Sequence, residues 1–132
     1  MDVAALITLL GYPCTPDEAR ERLRAVAAEH DQTLFVADRD GDLCGLLGLD
    51  LMYYLPLGAR TCRITALVVA TAHQGDGVGR DLLQAAETWA RQSGAARIEV
   101  TSGAQRSEAH AFYRACGYSD GSMRFVKRLG DA

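Results

Sequence analysis

Three glycines fall within the eight residues His73–Arg80, where a strand pattern gives way to a helix pattern. The apolar stretch Thr61–Ala70 comes before them, and apolar residues at helical spacing follow. Glycine allows a backbone to come close to a ligand, and the unpaired N–H groups at a helix start attract anions. The segment therefore predicts a phosphate-binding turn between a strand and a helix, with a pyrophosphate as its natural occupant.

Other interpretations of this turn are weaker. The phosphate-binding loop of nucleotide hydrolases needs Gly-Lys-Ser or Gly-Lys-Thr, and this chain has Gly79-Arg80-Asp81. A dinucleotide-binding fingerprint needs a third glycine where Arg80 stands. Glu99 does follow about twenty residues later, as that fingerprint requires, but too little chain remains for a second nucleotide-binding half. A turn that binds nothing is the usual explanation of an isolated glycine motif.

The chain before this turn predicts two helices and three strands. Thr15 and Glu18 have the spacing of a capping box, so a helix should begin at Pro16. The expected segments are a helix over Val3–Leu10 ended by Gly11, the helix from Pro16 with apolar Ala19, Leu23, Val26 and Ala27, and strands over Thr33–Ala37, Leu43–Tyr54 and Thr61–Ala70. The short links favour antiparallel pairing. Gly45 and Gly48 indicate a bulge or a close backbone approach in the second strand.

The chain after the turn predicts a long helix, a strand, a short helix and a last strand. The long helix carries Val78, Leu82, Ala86, Trp89 and Ala90 on one apolar stripe and is closed by Ser93-Gly94. The remaining segments are Arg97–Thr101, Ser107–Cys116 and Met123–Leu129. A strand, helix and strand in succession form a βαβ unit, so the strands on either side of the long helix should be parallel. The result is one α+β domain over residues 1–132, with a mixed, mostly antiparallel sheet flanked by helices.

Composition excludes several functional classes. The formal net charge is -3 and no basic cluster is present, which disfavours nucleic-acid binding. No apolar run approaches the ~18 residues that a membrane span needs, and no secretory signal pattern is present, so a cytoplasmic protein is expected. The four cysteines are Cys14, Cys44, Cys62 and Cys116. They form no Cys-x-x-Cys pair, so we expect no metal site and interpret each cysteine as a small apolar side chain.

Two motifs together resemble the signatures of one enzyme family. Gln74-x-x-Gly77-x-Gly79 matches the Gln/Arg-x-x-Gly-x-Gly/Ala signature of the GNAT acetyltransferases, and Ile64–Glu87 resembles the core of that family. The segment Ala109–Tyr118 is similar to the second family signature and follows at the right distance. The resemblance extends from Thr33 to the C-terminus. It implies the acyl-CoA N-acyltransferase fold and acetyl-CoA as co-substrate.

The resemblance also implies roles for particular residues. The pantetheine arm of acetyl-CoA would bond to the backbone of the strand that precedes the turn, in a gap where the next strand splays away, and the pyrophosphate would lie on the turn. The cofactor contacts implied in this way are Leu67, Val68, Val69, Gln74, Gly75, Asp76, Gly77, Val78, Gly79, Arg80 and Arg106. The Val69 N–H would stabilise the oxyanion, and Tyr113 would protonate the departing thiolate. The alternative for Tyr113 is an aromatic core residue.

The chain departs from the family at three points. The family often has asparagine where this chain has Arg106, and many members have a glutamate base where it has Thr65. The family fold normally opens with a strand, whereas Val3 already begins a helix here. An uncovered sheet edge favours pairing with a second copy, so a homodimer is expected.

The base and the acceptor stay open. Glu99 and His110 are candidate bases, as is bulk solvent, and Asp50, Tyr53 and Tyr54 are candidates for the border of the acceptor pocket. The expected activity is transfer of an acetyl group to a primary amine of a small molecule or peptide. The alternatives are a regulatory module that binds acetyl-CoA without turnover and a subunit that needs a partner.

Overall fold

The computed structural model of the chain describes residues 1–100, 107–119, 121 and 125–130. Met1–Val100 and Thr101–Ala132 form two compact units, which we describe separately. The elements of the first unit are α1 (Val3–Leu10), α2 (Pro16–Ala28), β1 (Gln32–Arg39), β2 (Asp42–Tyr54), β3 (Ala59–Val69), a 3-10 turn (Thr71–His73), α3 (Val78–Gln92) and β4 (Arg97–Val100). The second unit contains α4 (Ser107–Ala115). These elements confirm the α+β class; the single domain over residues 1–132 stays a prediction.

The start of α2 and the end of α1 lie where their capping residues predict. The Thr15 Oγ1 accepts a hydrogen bond from the Glu18 N–H at 3.2 Å, and the Glu18 carboxylate accepts one from the Thr15 N–H at 2.9 Å. The second bond lowers the pKa of the Glu18 carboxyl. Gly11 ends α1 with a φ of 115°, a left-handed conformation that glycine adopts without steric cost. No helix in the described residues is long and apolar enough to cross a membrane.

The four strands form one sheet in the order β1-β2-β3-β4. The pairs β1–β2 and β2–β3 are antiparallel, and β3–β4 is parallel, which confirms the predicted βαβ unit. Within the described residues no strand precedes α1, so β1 is an edge of the sheet. The sheet is therefore mostly antiparallel in the described residues. Its parallel pair, β3–β4, lies at the edge opposite β1.

Helix α3 packs its apolar stripe onto this sheet. Its buried residues are Val78, Leu82, Leu83, Ala86 and Ala90. A Cβ built at Gly45 of β2 would lie 2.9 Å from both Leu82 Cδ1 and Val78 Cγ1, so glycine allows the helix to lie this close to the strand. Trp89 differs from the other residues of the predicted stripe. It is only half-buried and lines a surface groove with Phe35 of β1.

The predicted last strand is wrong over residues 125–129, which have no regular secondary structure; Met123 and Arg124 lie outside the described residues. The side chains of Phe125, Val126 and Leu129 are 70–87% exposed. Apolar and aromatic residues fit a strand only when a neighbouring strand bonds to their backbone and one face is covered. The sequence shows the side-chain pattern but cannot show whether such a partner is in place.

Candidate acetyl-CoA and acceptor site

The second half of β3 is separated from the first by a β-bulge. Gly48 of β2 pairs with Ala66, whereas the next residue, Leu49, pairs with Ile64, so Thr65 is an extra residue in β3. The bulge explains the glycine at position 48. A Cβ there would lie only 2.7 Å from the Thr65 Oγ1. The sequence predicted a bulge or a close approach in β2 at Gly45 and Gly48, and both glycines lie at close approaches. The ladder to β1 also leaves Cys44 as an extra residue in β2, next to Gly45.

Beyond the bulge, β3 pairs on one side only within the described residues. The parallel ladder to β4 ends at Ile64↔Val100. On the other side, the Ala70 N–H donates to the Cys44 carbonyl at 2.8 Å. Hydrogen-bonded and non-bonded pairs alternate along an antiparallel ladder, so Gly45↔Val69 and Leu47↔Leu67 are non-bonded pairs. The N–H groups of Leu67 and Val69 therefore point away from β2, toward the open side of β3.

The glycine-rich turn follows directly. Gly75 and Gly77 have φ values of 89° and 84°, which are left-handed conformations. Gly77 is the N-cap of α3, so no side chain caps the first N–H groups of this helix. A Cβ at either glycine would meet nothing within 4 Å. The turn thus offers uncapped N–H donors and open space, which together suit an anionic group such as a pyrophosphate.

Two side chains hold the turn in place. Gln74 Nε2 donates to the Val69 carbonyl at 3.3 Å, which ties the turn to the end of β3. Arg39, at the end of β1, donates from Nη2 to the Asp76 carbonyl at 3.5 Å. Sequence reasoning identified Gln74 from its motif but missed Arg39. Only the antiparallel pairing of β1 and β2 brings Arg39 to the turn, and no local pattern marks it.

Charged residues of β3 and β4 form an ion-paired cluster at the start of the parallel ladder. Arg63 donates from Nε and Nη2 to Glu99 Oε1 at 2.8 and 2.7 Å. Arg97 Nη2 lies 3.7 Å from Glu99 Oε2, and its Nε donates to Thr61 Oγ1 at 3.1 Å. The Arg97 guanidinium also lies 4.8 Å above the ring of Tyr54. Both oxygens of Glu99 face arginines, which disfavours this residue as the base.

The buried cysteines do not supply a nucleophile. Cys44 and Cys62 are both fully buried, as expected for small apolar side chains. Burial, followed by the nearby Asp50 charge, raises the pKa of the Cys62 thiol to about 11. The thiol therefore stays protonated at neutral pH, and a protonated thiol is a poor nucleophile.

The second unit carries Tyr113 on α4. Tyr113 and His110 are half-buried, and the Tyr113 ring packs against Phe112 and Tyr118 with ring centroids 5.5 and 5.9 Å apart. Arg106 lies outside the described residues. The candidate cofactor contacts of β3 and the turn thus lie together in the first compact unit. Tyr113 lies in the second unit, where its ring packs in an aromatic cluster.

A sequence model of the acetyltransferase (GNAT) family matches residues 4–118. The chain belongs to this family. GNAT enzymes use acetyl-CoA. The family match covers both the turn and the segment around Tyr113.

Individual relatives agree with this assignment. The chain is 35% identical over 94 residues to the aminoalkylphosphonate N-acetyltransferase of Salmonella typhimurium, covering 71% of this chain and 61% of that protein. It is 32% identical over 124 residues to the aminoglycoside N(6')-acetyltransferase type 1 of Stenotrophomonas maltophilia, covering 90% and 81%. Among solved structures, a GNAT family acetyltransferase of Staphylococcus aureus has a TM-score of 0.83 at 24% identity, covering 96% of this chain and 87% of that one. This last similarity shows the fold alone.

Proposed function

We propose that the chain is an N-acetyltransferase that moves the acetyl group of acetyl-CoA to a primary amine of a small molecule or peptide in the cytoplasm. One observation carries the proposal. The outward N–H groups of Leu67 and Val69 lie on the same strand that leads into the uncapped start of α3. One compact unit therefore offers donors for an amide-containing arm and for a phosphate group.

Acetyl-CoA binds mainly to backbone in this proposal. Its pantetheine amides pair with Leu67–Val69, and its pyrophosphate accepts hydrogen bonds from the turn Gln74–Arg80. Arg106 is a further contact. The glycines at positions 75 and 77 leave room for the ligand to approach these N–H groups. The bond from Gln74 to Val69 keeps the two binding segments in a fixed relation.

The transfer itself needs a neutral amine, an oxyanion donor and an acid. The amine lone pair attacks the thioester carbon, and the resulting oxyanion accepts a hydrogen bond from the Val69 N–H. The C–S bond then breaks, and the thiolate sulfur takes a proton from the Tyr113 hydroxyl. The excess proton of the amine leaves to water, or through water to His110. Tyr113 regains its proton from solvent, which completes the cycle.

The second candidate function is a regulatory module that binds acetyl-CoA without turnover. It is favoured by the hydroxyl of Thr65 at the bulge, because a hydroxyl is a far weaker base than a carboxylate. The ion pair of the Glu99 carboxylate with Arg63 also favours the regulatory module, because a paired carboxylate is a weaker base. Both candidates bind the same ligand, and only the enzyme releases CoA.

The proposal also concerns which chemical class of amine accepts the acetyl group. The chain covers less than two thirds of the length of the first curated relative that it matches. The substrates named by the two relatives are both small amines, but an aminoalkylphosphonate carries an anionic group and an aminoglycoside carries further amino groups. We therefore keep small-molecule amines of both charge types as candidate acceptors.

A thiol-release assay tests the enzyme against the binding module. We expect free CoA thiol to appear when acetyl-CoA is mixed with the protein and a panel of primary amines, with a rate that depends on the amine. Acetyl-CoA binding is measured by calorimetry on the same sample. Binding without release from any amine in the panel would favour the regulatory module, and absence of binding would contradict both candidates.

We also propose that two copies pair through the edge of the sheet. Within the described residues, β1 bonds only to β2, and the apolar side chain of Val36 on this strand is 46% exposed. An unpaired edge strand offers its backbone to a second chain. Light scattering should give twice the 14.2 kDa mass of one chain. A monomeric mass at micromolar concentrations would contradict this assembly.

A further inference from the structure

The carbonyl of Asp76, in the glycine-rich turn, is bonded by a side chain. Arg39 Nη2 donates to it at 3.5 Å, and no backbone N–H group of the described residues does so. The Asp76 N–H is held separately, because it donates to the His73 carbonyl at 3.2 Å. Within the described residues, Arg39 is thus the hydrogen-bond partner of the peptide unit that joins Asp76 to Gly77.

This bond sets the direction of the next N–H group. In a trans peptide the C=O and N–H bonds point in opposite directions, so a carbonyl held toward Arg39 turns the Gly77 N–H away from that side chain. Arg39 ends β1, which lies on the far side of β2 from β3. The Gly77 N–H therefore points away from β1, as do the outward N–H groups of Leu67 and Val69.

The peptide unit would be free to flip if Arg39 did not hold it. A flip changes ψ of Asp76 and φ of Gly77, and glycine adopts positive and negative φ about equally well. The φ of Gly77 is 84°, and this residue has no side chain that would select one orientation. In the flipped form the Asp76 carbonyl, with its partial negative charge, would take the direction of the N–H and repel an anion.

The guanidinium of Arg39 is available for this role. Arg39 is exposed and forms no ion pair in the described part of the chain. The nearby Asp76 carboxylate has a different neighbour, since its Oδ2 lies 3.5 Å from His73 Nδ1. A hydrogen bond from a charged donor is roughly twice as strong as a neutral one, so Arg39 favours the present orientation of the carbonyl.

We propose that Arg39 is a positioning residue for the cofactor, which keeps the Asp76–Gly77 peptide in the orientation that binds the pyrophosphate of acetyl-CoA. This inference rests on the proposed function, because it takes acetyl-CoA as the ligand of the turn. Arg39 acts through the Asp76 carbonyl and does not touch the ligand. Its loss should raise the KM for acetyl-CoA and leave kcat nearly unchanged, because the reacting thioester lies at β3.

Three thioesters with the same acetylated arm test the inference by calorimetry. Acetyl-CoA carries a pyrophosphate and a 3′-phosphate, acetyl-dephospho-CoA carries the pyrophosphate alone, and acetylpantetheine carries neither. Arg39→Ala should weaken binding of the first two about 10-fold, the low end for losing a hydrogen bond from a charged group, and that of acetylpantetheine less than about 2-fold. Arg24→Ala is the matched control, because it removes the same charge from the exposed surface of α2, and it should leave all three unchanged.

The pattern of losses decides between roles for Arg39. An equal loss for all three thioesters would indicate a general structural role, and a loss confined to acetyl-CoA would indicate a direct contact with the 3′-phosphate. Either result would overturn the inference, as would unchanged binding in Arg39→Ala.

The Gly77 amide resonance of the ligand-free, nitrogen-15-labelled protein tests the same orientation without cofactor or turnover. It should shift or split in Arg39→Ala and stay in place in Arg24→Ala, and an unchanged resonance in Arg39→Ala would contradict the inference. The two proposals fail separately. If acetyl-CoA binding and the Gly77 resonance depend on Arg39 but no amine leads to thiol release, the proposed enzyme function fails and the role of Arg39 stands.

Discussion

Gly77→Val should weaken acetyl-CoA binding at least 10-fold and leave the fold intact. The added side chain would occupy the open space at the start of α3, where the proposed pyrophosphate lies. It would keep the phosphate from the turn's N–H groups, and each hydrogen bond lost to a charged group costs about 1.5–3 kcal/mol. The φ of 84° adds strain of about 1–2 kcal/mol for a residue with a Cβ. Calorimetry with acetyl-CoA measures the affinity, and thermal melting measures the strain.

Gly94→Val is the control for that strain. Gly94 closes the other end of α3 with a φ of 81°, and a Cβ there also meets nothing within 4 Å. The two variants should therefore lose similar stability, whereas only Gly77→Val should lose affinity. Equal acetyl-CoA affinity in both variants would remove the cofactor site from this turn.

Tyr113→Phe should lower kcat about 100-fold, the low end of the range for general acid catalysis, because a thiolate is a fairly good leaving group. The substitution keeps the ring that packs on Phe112 and Tyr118 and removes only the hydroxyl. Acetyl-CoA binding should stay nearly unchanged, because the hydroxyl acts mainly in the transition state. Steady-state kinetics and calorimetry on this variant separate the two quantities.

Tyr118→Phe serves as the control, since it removes a hydroxyl from the same aromatic cluster without a proposed catalytic role. It should retain kcat. A Tyr113→Phe variant with wild-type kcat and a lower melting temperature would support the aromatic core interpretation and exclude Tyr113 from the mechanism.

The sequence by itself determined the elements whose signals are local. The capping box of Thr15 and Glu18 fixed the start of α2, and Ser93-Gly94 fixed the end of α3, because such caps need only a few neighbouring residues. The glycine-rich turn was also predictable, since left-handed φ values strongly favour glycine whatever the rest of the fold does. The order of short strands and one long helix then predicted the mixed sheet.

Tertiary structure decided what depends on register. The bulge at Thr65 shifts β3 by one residue. Gly48 indicates a bulge or a close approach at this place, but it does not show that the extra residue lies in the neighbouring strand. That register turns the N–H groups of Leu67 and Val69 outward, pairs Arg63 with Glu99 and leaves Asp50 without a partner in the described residues. The expected strand at Phe125–Leu129 failed for the same reason. A strand, a register and an ion pair each need a particular neighbour far along the chain, and side-chain periodicity carries no information about that neighbour.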